Sequence, residues 1–226
     1  VLPIITLTEY QPQEPNELFF RLNQSYNLTP PEKRNALHGE ARNQVKELVV
    51  ELIDLGLLQR DRIGFTNGRL AYDDIVARTC VAVEMGTLRR HINNNVVEQY
   101  YRDRRFSDST IAGVRAAGQV LRDQIDGSES RIKFNKGTLQ TWLIYCYWAP
   151  LVTGPLPPNL LSRFEYERAR LKRGEIDDDG PEARRLLETV SLYDDRASYR
   201  VTDVSSVLAR DVVVHLFSEA FLDTPG

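Results

Sequence analysis

The sequence predicts a mainly α-helical protein, a multi-helix bundle of about eight to nine helices led by one short N-terminal β-strand. Three observations predict it. Apolar residues recur at helical spacing after Gly39, as in Val45, Leu48, Val49, Leu52 and Leu55, with Glu47, Glu51 and Asp54 off that face. Gly86, Gly127, Gly154 and Gly180 punctuate the later helical segments. Lys136–Ala149 is apolar nearly all round, through Leu139, Trp142, Leu143, Ile144, Tyr145, Cys146 and Trp148, which marks a buried central helix.

Residues 3 to 10 alternate and are β-branched, so they read as a strand, followed by a turn at Gln11–Pro15. Asn16 can cap a short helix over Glu17–Asn23. Thr29-Pro30-Pro31-Glu32 is a helix start in which the hydroxyl caps, proline sits where no N–H is needed, and Glu32 completes a capping box. Phe65-Thr66-Asn67-Gly68 joins two helices, since helical spacing resumes over Leu70–Met85. Further helices are expected at about Thr87–Phe106, Ser109–Ile125, Lys136–Ala149, Asn159–Arg173, Pro181–Tyr193 and Asp203–Phe221. The lone strand has no partner in this chain, and its backbone groups need one. The chain opens at Val1 and its single Met is Met85, so we expect the back part of a longer protein whose upstream segment, or a second chain, pairs with that strand.

At 226 residues with 42% hydrophobic and 27% charged side chains, the composition excludes disorder and low-complexity fibres. Net charge is −3, so nucleic-acid contact requires a local patch. Two cysteines point to a reduced, cytoplasmic setting, and no apolar stretch is long enough to predict a membrane partner. No metal site is predicted: His38, His91 and His215 lie apart, and the acidic run Glu175-x-Asp177-x-Asp179 would need a carboxylate where Leu186 stands to be a calcium loop. Cys80 and Cys146 have apolar neighbours and read as core thiols, and no glycine-rich phosphate loop is present.

Two constellations remain. Arg102, Arg104 and Arg105 stand with Tyr100, Tyr101 and Phe106, and Arg89, Arg90 and His91 with the other end of the same expected helix. That mixture suits a nucleic-acid backbone, or equally a helix C-terminus paired with Asp103 and Asp108. The second is Arg21 and Asn23, followed by Glu32, Arg34 and Asn35. Two short helices presenting Arg and Asn could hold a phosphate by fork-like hydrogen bonds, or form a purely structural network.

The run Phe19-x-Arg21-Leu22-Asn23, then Leu28-Thr29-Pro30-x-Glu32-x-Arg34-Asn35-Ala36-Leu37, resembles the closing segment of the domain of unknown function 262 family. This is a ParB/sulfiredoxin-like domain of GmrSD-type restriction enzymes and the phage-defence protein SspE. The likeness covers about Ile4–Leu37, and Phe134–Leu143 and Ser205–Arg210 resemble its helical downstream half. It implies an end of a ParB/sulfiredoxin-like domain over 1–38 and a helical domain over 39–226. It further implies a bacterial, cytoplasmic anti-phage protein that restricts DNA with nucleotide hydrolysis, using a nucleoside triphosphate and Mg2+ in the full-length protein. Arg21 and Asn23 would contact phosphate, supported by Glu32, Arg34 and Asn35. The family's Asp-Gly-Gln-Gln-Arg signature and a nuclease histidine context are absent here, so this chain alone is expected to be inactive. The rival expectation is a non-catalytic helical DNA-sensing or protein-interaction module that binds through Arg102, Arg104 and Arg105.

Overall fold

The computed structural model describes residues 6, 8–22, 28–128, 131–175 and 180–222, without the side chains of 19–22, 181–183 and 221–222. Eleven helices form among the described residues: α1 (Glu14–Leu22), α2 (Pro30–Asn35), α3 (Glu40–Asp54), α4 (Arg60–Ile63), α5 (Ala71–Met85), α6 (Asn94–Asp103), α7 (Asp108–Asp126), α8 (Lys136–Thr153), α9 (Leu160–Arg173), α10 (Pro181–Ser198) and α11 (Val204–Leu222). The protein is mainly helical, as the periodicity predicts. The expected strand is not seen: Thr6 and Thr8–Tyr10 carry no strand, while Ile4, Ile5 and Leu7 lie outside the described residues.

α8 is the centre of the bundle. Gly137 through Cys146 are buried without interruption, and α5, α7 and α11 pack around them. The Trp142 ring meets Tyr145 and Phe164 edge to face at 5.6 and 5.5 Å. Phe164 in turn meets Tyr193 at 4.9 Å and Phe217 at 5.0 Å, so one aromatic cluster ties α8 to α9, α10 and α11. Cys80 and Cys146 are buried and unbridged. Trp148, expected in the core, is half-buried, because the last turns of α8 leave the bundle and expose Leu151 and Val152 at 71% and 84%.

The expected helix over Thr87–Phe106 is shortened to α6. Gly86 stops α5 in the left-handed region at φ 62°, and Asn93 starts α6 by accepting the Val96 N–H at 3.0 Å. Arg89, Arg90 and His91 therefore sit in the connection before α6, not on it. The segments Phe134–Leu143 and Ser205–Arg210 meet through Arg210, which is fully buried. It donates to Thr141 Oγ1 at 2.9 Å, Arg196 O at 2.6 Å and Val201 O at 2.9 Å. At the other end, α2 packs on α5 and α6, and Gly39 brings the start of α3 so close to α6 that a Cβ there would lie 2.2 Å from Tyr101 O. Among the described residues no helix is long and apolar enough to cross a membrane.

Candidate functional site

The candidate residues of the Arg/Asn segment separate into three environments. Arg21 lies in α1, but its side chain and all of Asn23 fall outside the described residues. Glu32 is used by its own helix start. Its Oε2 accepts the Thr29 N–H at 2.7 Å and the Thr29 hydroxyl at 2.6 Å, and Arg69 donates to the same carboxylate at 3.1 and 3.3 Å. The Thr29 hydroxyl foremost, then Arg69, hold the Glu32 carboxyl down at about 2. Glu32 is thus engaged in holding the start of α2 and Arg69.

Arg34 is 2% exposed and inside the fold. Its Nη2 donates to Asp74 Oδ1 on α5, and its guanidinium lies over the Tyr101 ring, 5.8 Å from the centroid. Asp74 also accepts from Arg78 Nε at 3.2 Å. Arg78 is buried as well, and its other nitrogens donate to Ile92 O and, at 2.6 Å, to Asn94 Oδ1. This network fixes α2, α5 and the connection into α6 as a unit. Two nitrogens of Arg34, Nε and Nη1, are buried with no partner, as is Asn35 Oδ1. A small cavity of about 10 Å3 adjoins them, lined also by Pro31, Arg42, Lys46, Asp73 and Tyr101.

A separate cleft of about 620 Å3 is lined by Gln13 before α1, Asn16 and Glu17 of its first turn, Ala36–His38 after α2, and Arg102 and Asp103 of α6. The fold thus joins Arg102 of the basic cluster to the Arg/Asn segment, while Arg34 and Asn35 face elsewhere. Arg102 pairs with Glu98 one turn before it at 2.8 Å, and Arg105 with Asp108 at 2.6 Å. Arg104 has no carboxylate partner among the described residues and stacks over Tyr100, 4.9 Å from the ring centroid. Two of the three arginines are therefore neutralised locally, as a helix C-terminus allows, and one is free to meet an external anion.

The thiols are unsuited to nucleophilic chemistry, because burial pushes both Cys80 and Cys146 far above the ordinary range. The residues that sequence reasoning missed are Arg42, Lys46, Asp74 and Arg78. No local signal marks them, because they meet Arg34 and Asn35 only through contacts across the fold. No protein-family model, no curated protein and no solved structure matches this chain.

Proposed function

We propose that this chain is the helical part of a bacterial nucleotide-dependent DNA-restriction protein, and that it contributes the α1–α2–α6 cleft to a nucleotide site. The observation that carries this reading is the cleft itself. Its volume of about 620 Å3 falls in the range of small-molecule sites, and it lies where the segment resembling the restriction family meets the basic end of α6. Arg102 supplies the cation of the wall, and His38 adds ring nitrogens that can hydrogen-bond a phosphate oxygen or a base. The Arg102–Glu98 pair is exposed on both sides, so exchanging Glu98 for a phosphate costs little. Glu17 and Asp103 on the same walls are oxygen donors of the type a phosphate-borne Mg2+ takes alongside one or two carboxylates. That ion would supply charge neutralisation between phosphate oxygens.

The test is calorimetric titration of ATP and GTP, with and without Mg2+, into the chain and its Arg102→Ala and His38→Ala variants. Binding by the parent and roughly tenfold weakening in either variant supports the cleft, as expected for losing one polar contact to the ligand. Absence of nucleotide binding to the chain and to any longer form of it overturns the reading.

A second reading has its own observation. Arg89, Arg90 and Arg104 are exposed and pair with no carboxylate among the described residues, as a DNA-sensing surface requires. Salt-dependent binding of duplex DNA by the chain, with a slope that falls by about one for each Arg→Ala change, supports it.

A further inference from the structure

We infer that the corner enclosed by α2, α3, α5 and α6 is a binding site for a tetrahedral oxyanion, separate from the nucleotide cleft. The starting point is a guanidinium that the fold buries without satisfying. Arg34 is 2% exposed, Asp74 takes only Nη2, and both Nε and Nη1 are buried with no partner. A buried donor left unpaired forfeits its hydration without compensation, so the site favours whatever acceptor can enter.

The walls decide which acceptor. Arg42 and Lys46 stand one turn apart on α3 and line the same cavity. Arg42 spends Nε on Asn35 O at 2.9 Å and Nη1 on Asn43 Oδ1 at 3.1 Å, which leaves Nη2 without a partner. Lys46 makes no ion pair among the described residues. Against these three cations the cavity wall carries a single carboxylate, Asp73, whose Oδ2 already accepts from Asn67 at 3.2 Å. Asp74 is shared between Arg34 and Arg78 and cannot neutralise both. The corner therefore holds surplus positive charge around unsatisfied donors, the condition for recognising an anion rather than a neutral acceptor.

Asn35 fits the same ligand. Its side chain makes no hydrogen bond among the described residues, and its buried Oδ1 has no partner. Rotating the amide by half a turn breaks no bond and offers an NH2 donor in place of that oxygen. Size sets the mode of entry. A cavity of about 10 Å3 accepts one oxygen, so the remainder of the group sits at the mouth beside Arg42 and Lys46. Inorganic phosphate or sulfate and the terminal group of a phosphomonoester share this chemistry.

The experiment measures melting temperature and calorimetric binding with inorganic phosphate, with adenosine monophosphate, and with chloride at matched ionic strength. The parent chain is compared with Arg42→Ala, Lys46→Ala and Arg102→Ala. We expect a saturable rise in melting temperature with phosphate, none with chloride, and about a tenfold weaker Kd in the Arg42 and Lys46 variants. Lys46 makes no ion pair among the described residues, so Lys46→Ala tests binding without removing one, whereas Arg42→Ala also gives up its bond to Asn35 O. Arg102→Ala removes phosphate held in the nucleotide cleft, so the saturable shift that persists in that variant belongs to the α2–α3–α5–α6 corner. Protection by adenosine monophosphate that survives in Arg102→Ala and disappears in Lys46→Ala assigns the site to a phosphomonoester. Protection by inorganic phosphate alone assigns it to the free ion. Equal shifts with phosphate and chloride, or an unchanged Kd in Lys46→Ala, overturn the proposal.

Discussion

Asp74 of α5 accepts from Arg34 of α2, forty positions earlier, and from Arg78 one helical turn later, so one carboxylate serves two buried guanidiniums. Asp74→Asn keeps the shape but removes the only negative charge in that contact. Two buried cations then face each other, and breaking a buried pair from one side costs about 3–5 kcal/mol. Urea unfolding checks this, and a loss below about 1 kcal/mol would show that the arginines find solvent or other acceptors.

That pair also marks where sequence reasoning reaches its limit at the site. The Thr29–Glu32 helix start is legible because all of its chemistry lies within four positions. Whether Arg34 faces solvent or the interior depends on Asp74 and Tyr101, which only the folded chain brings to it. Lys33, its neighbour, is exposed, and no local rule separates the two. Arg210 is a parallel case. Ser206, Arg210, Val213 and Phe217 form one buried stripe of α11, and the arginine is held there by a hydroxyl and two backbone oxygens from distant turns.

Trp142→Ala is expected to cost about 3–5 kcal/mol, the range for deleting a large core aromatic. The ring is fully buried and contacts Tyr145 and Phe164, so the cavity would open at the junction of α8 and α9. Chemical denaturation gives the loss, and near-ultraviolet circular dichroism reports the collapse of the aromatic cluster. This helix was legible because a segment apolar on every side has only one place to go. α4 was not legible, since Arg60–Ile63 is four residues long and shows no period. The break before α6 was also hidden, because it depends on Asn93 capping the helix and not on a change in hydrophobicity.

Gly137→Ala tests the approach between α8 and the turn before α11. An added Cβ would lie 1.9 Å from Val201 Cγ1 and 3.2 Å from Arg210 Nη2, so the turn must move and Arg210 loses its grip on Val201 O. Overpacking of this kind costs about 1–3 kcal/mol. A Gly137→Ala chain with unchanged melting temperature would mean that the turn shifts without resistance.

Glu32 gives the protein an acid-sensitive helix start. Its folded-state value of about 2 lies below the ordinary 4.5, because the Thr29 hydroxyl and Arg69 bind the ionised form. The unfolded chain therefore takes up a proton first, and the contribution present above pH 4.5 is lost as pH falls towards 2. Glu32→Gln removes that dependence. Melting temperatures across this interval should fall less steeply for the variant, and parallel curves would exclude the mechanism.

Asp211 on α11 has the opposite sign. Burial raises its carboxyl above the ordinary 3.8, and the nearby His215 only partly offsets this. Oδ1 is buried without a partner, Oδ2 stands 3.9 Å from His215 Nε2, and the His215 ring is held edge to face against Tyr145 of α8 at 4.8 Å. The folded chain thus holds the proton more tightly than the unfolded one, so stability from this group is present at low pH and declines as pH rises through the folded value. Above that raised value the ionised carboxylate is a standing penalty. Asp211→Asn is expected to raise stability there by about 1 kcal/mol, the scale of relieving one poorly satisfied buried acceptor. The gain should shrink on acidification, as Asp211 takes up its proton. His215→Gln supplies the control: it should change stability less in the Asp211→Asn background than in the parent, because its acidic neighbour is gone. A net loss of stability for Asp211→Asn at neutral pH would show instead that the Asp211–His215 attraction outweighs the cost of burial.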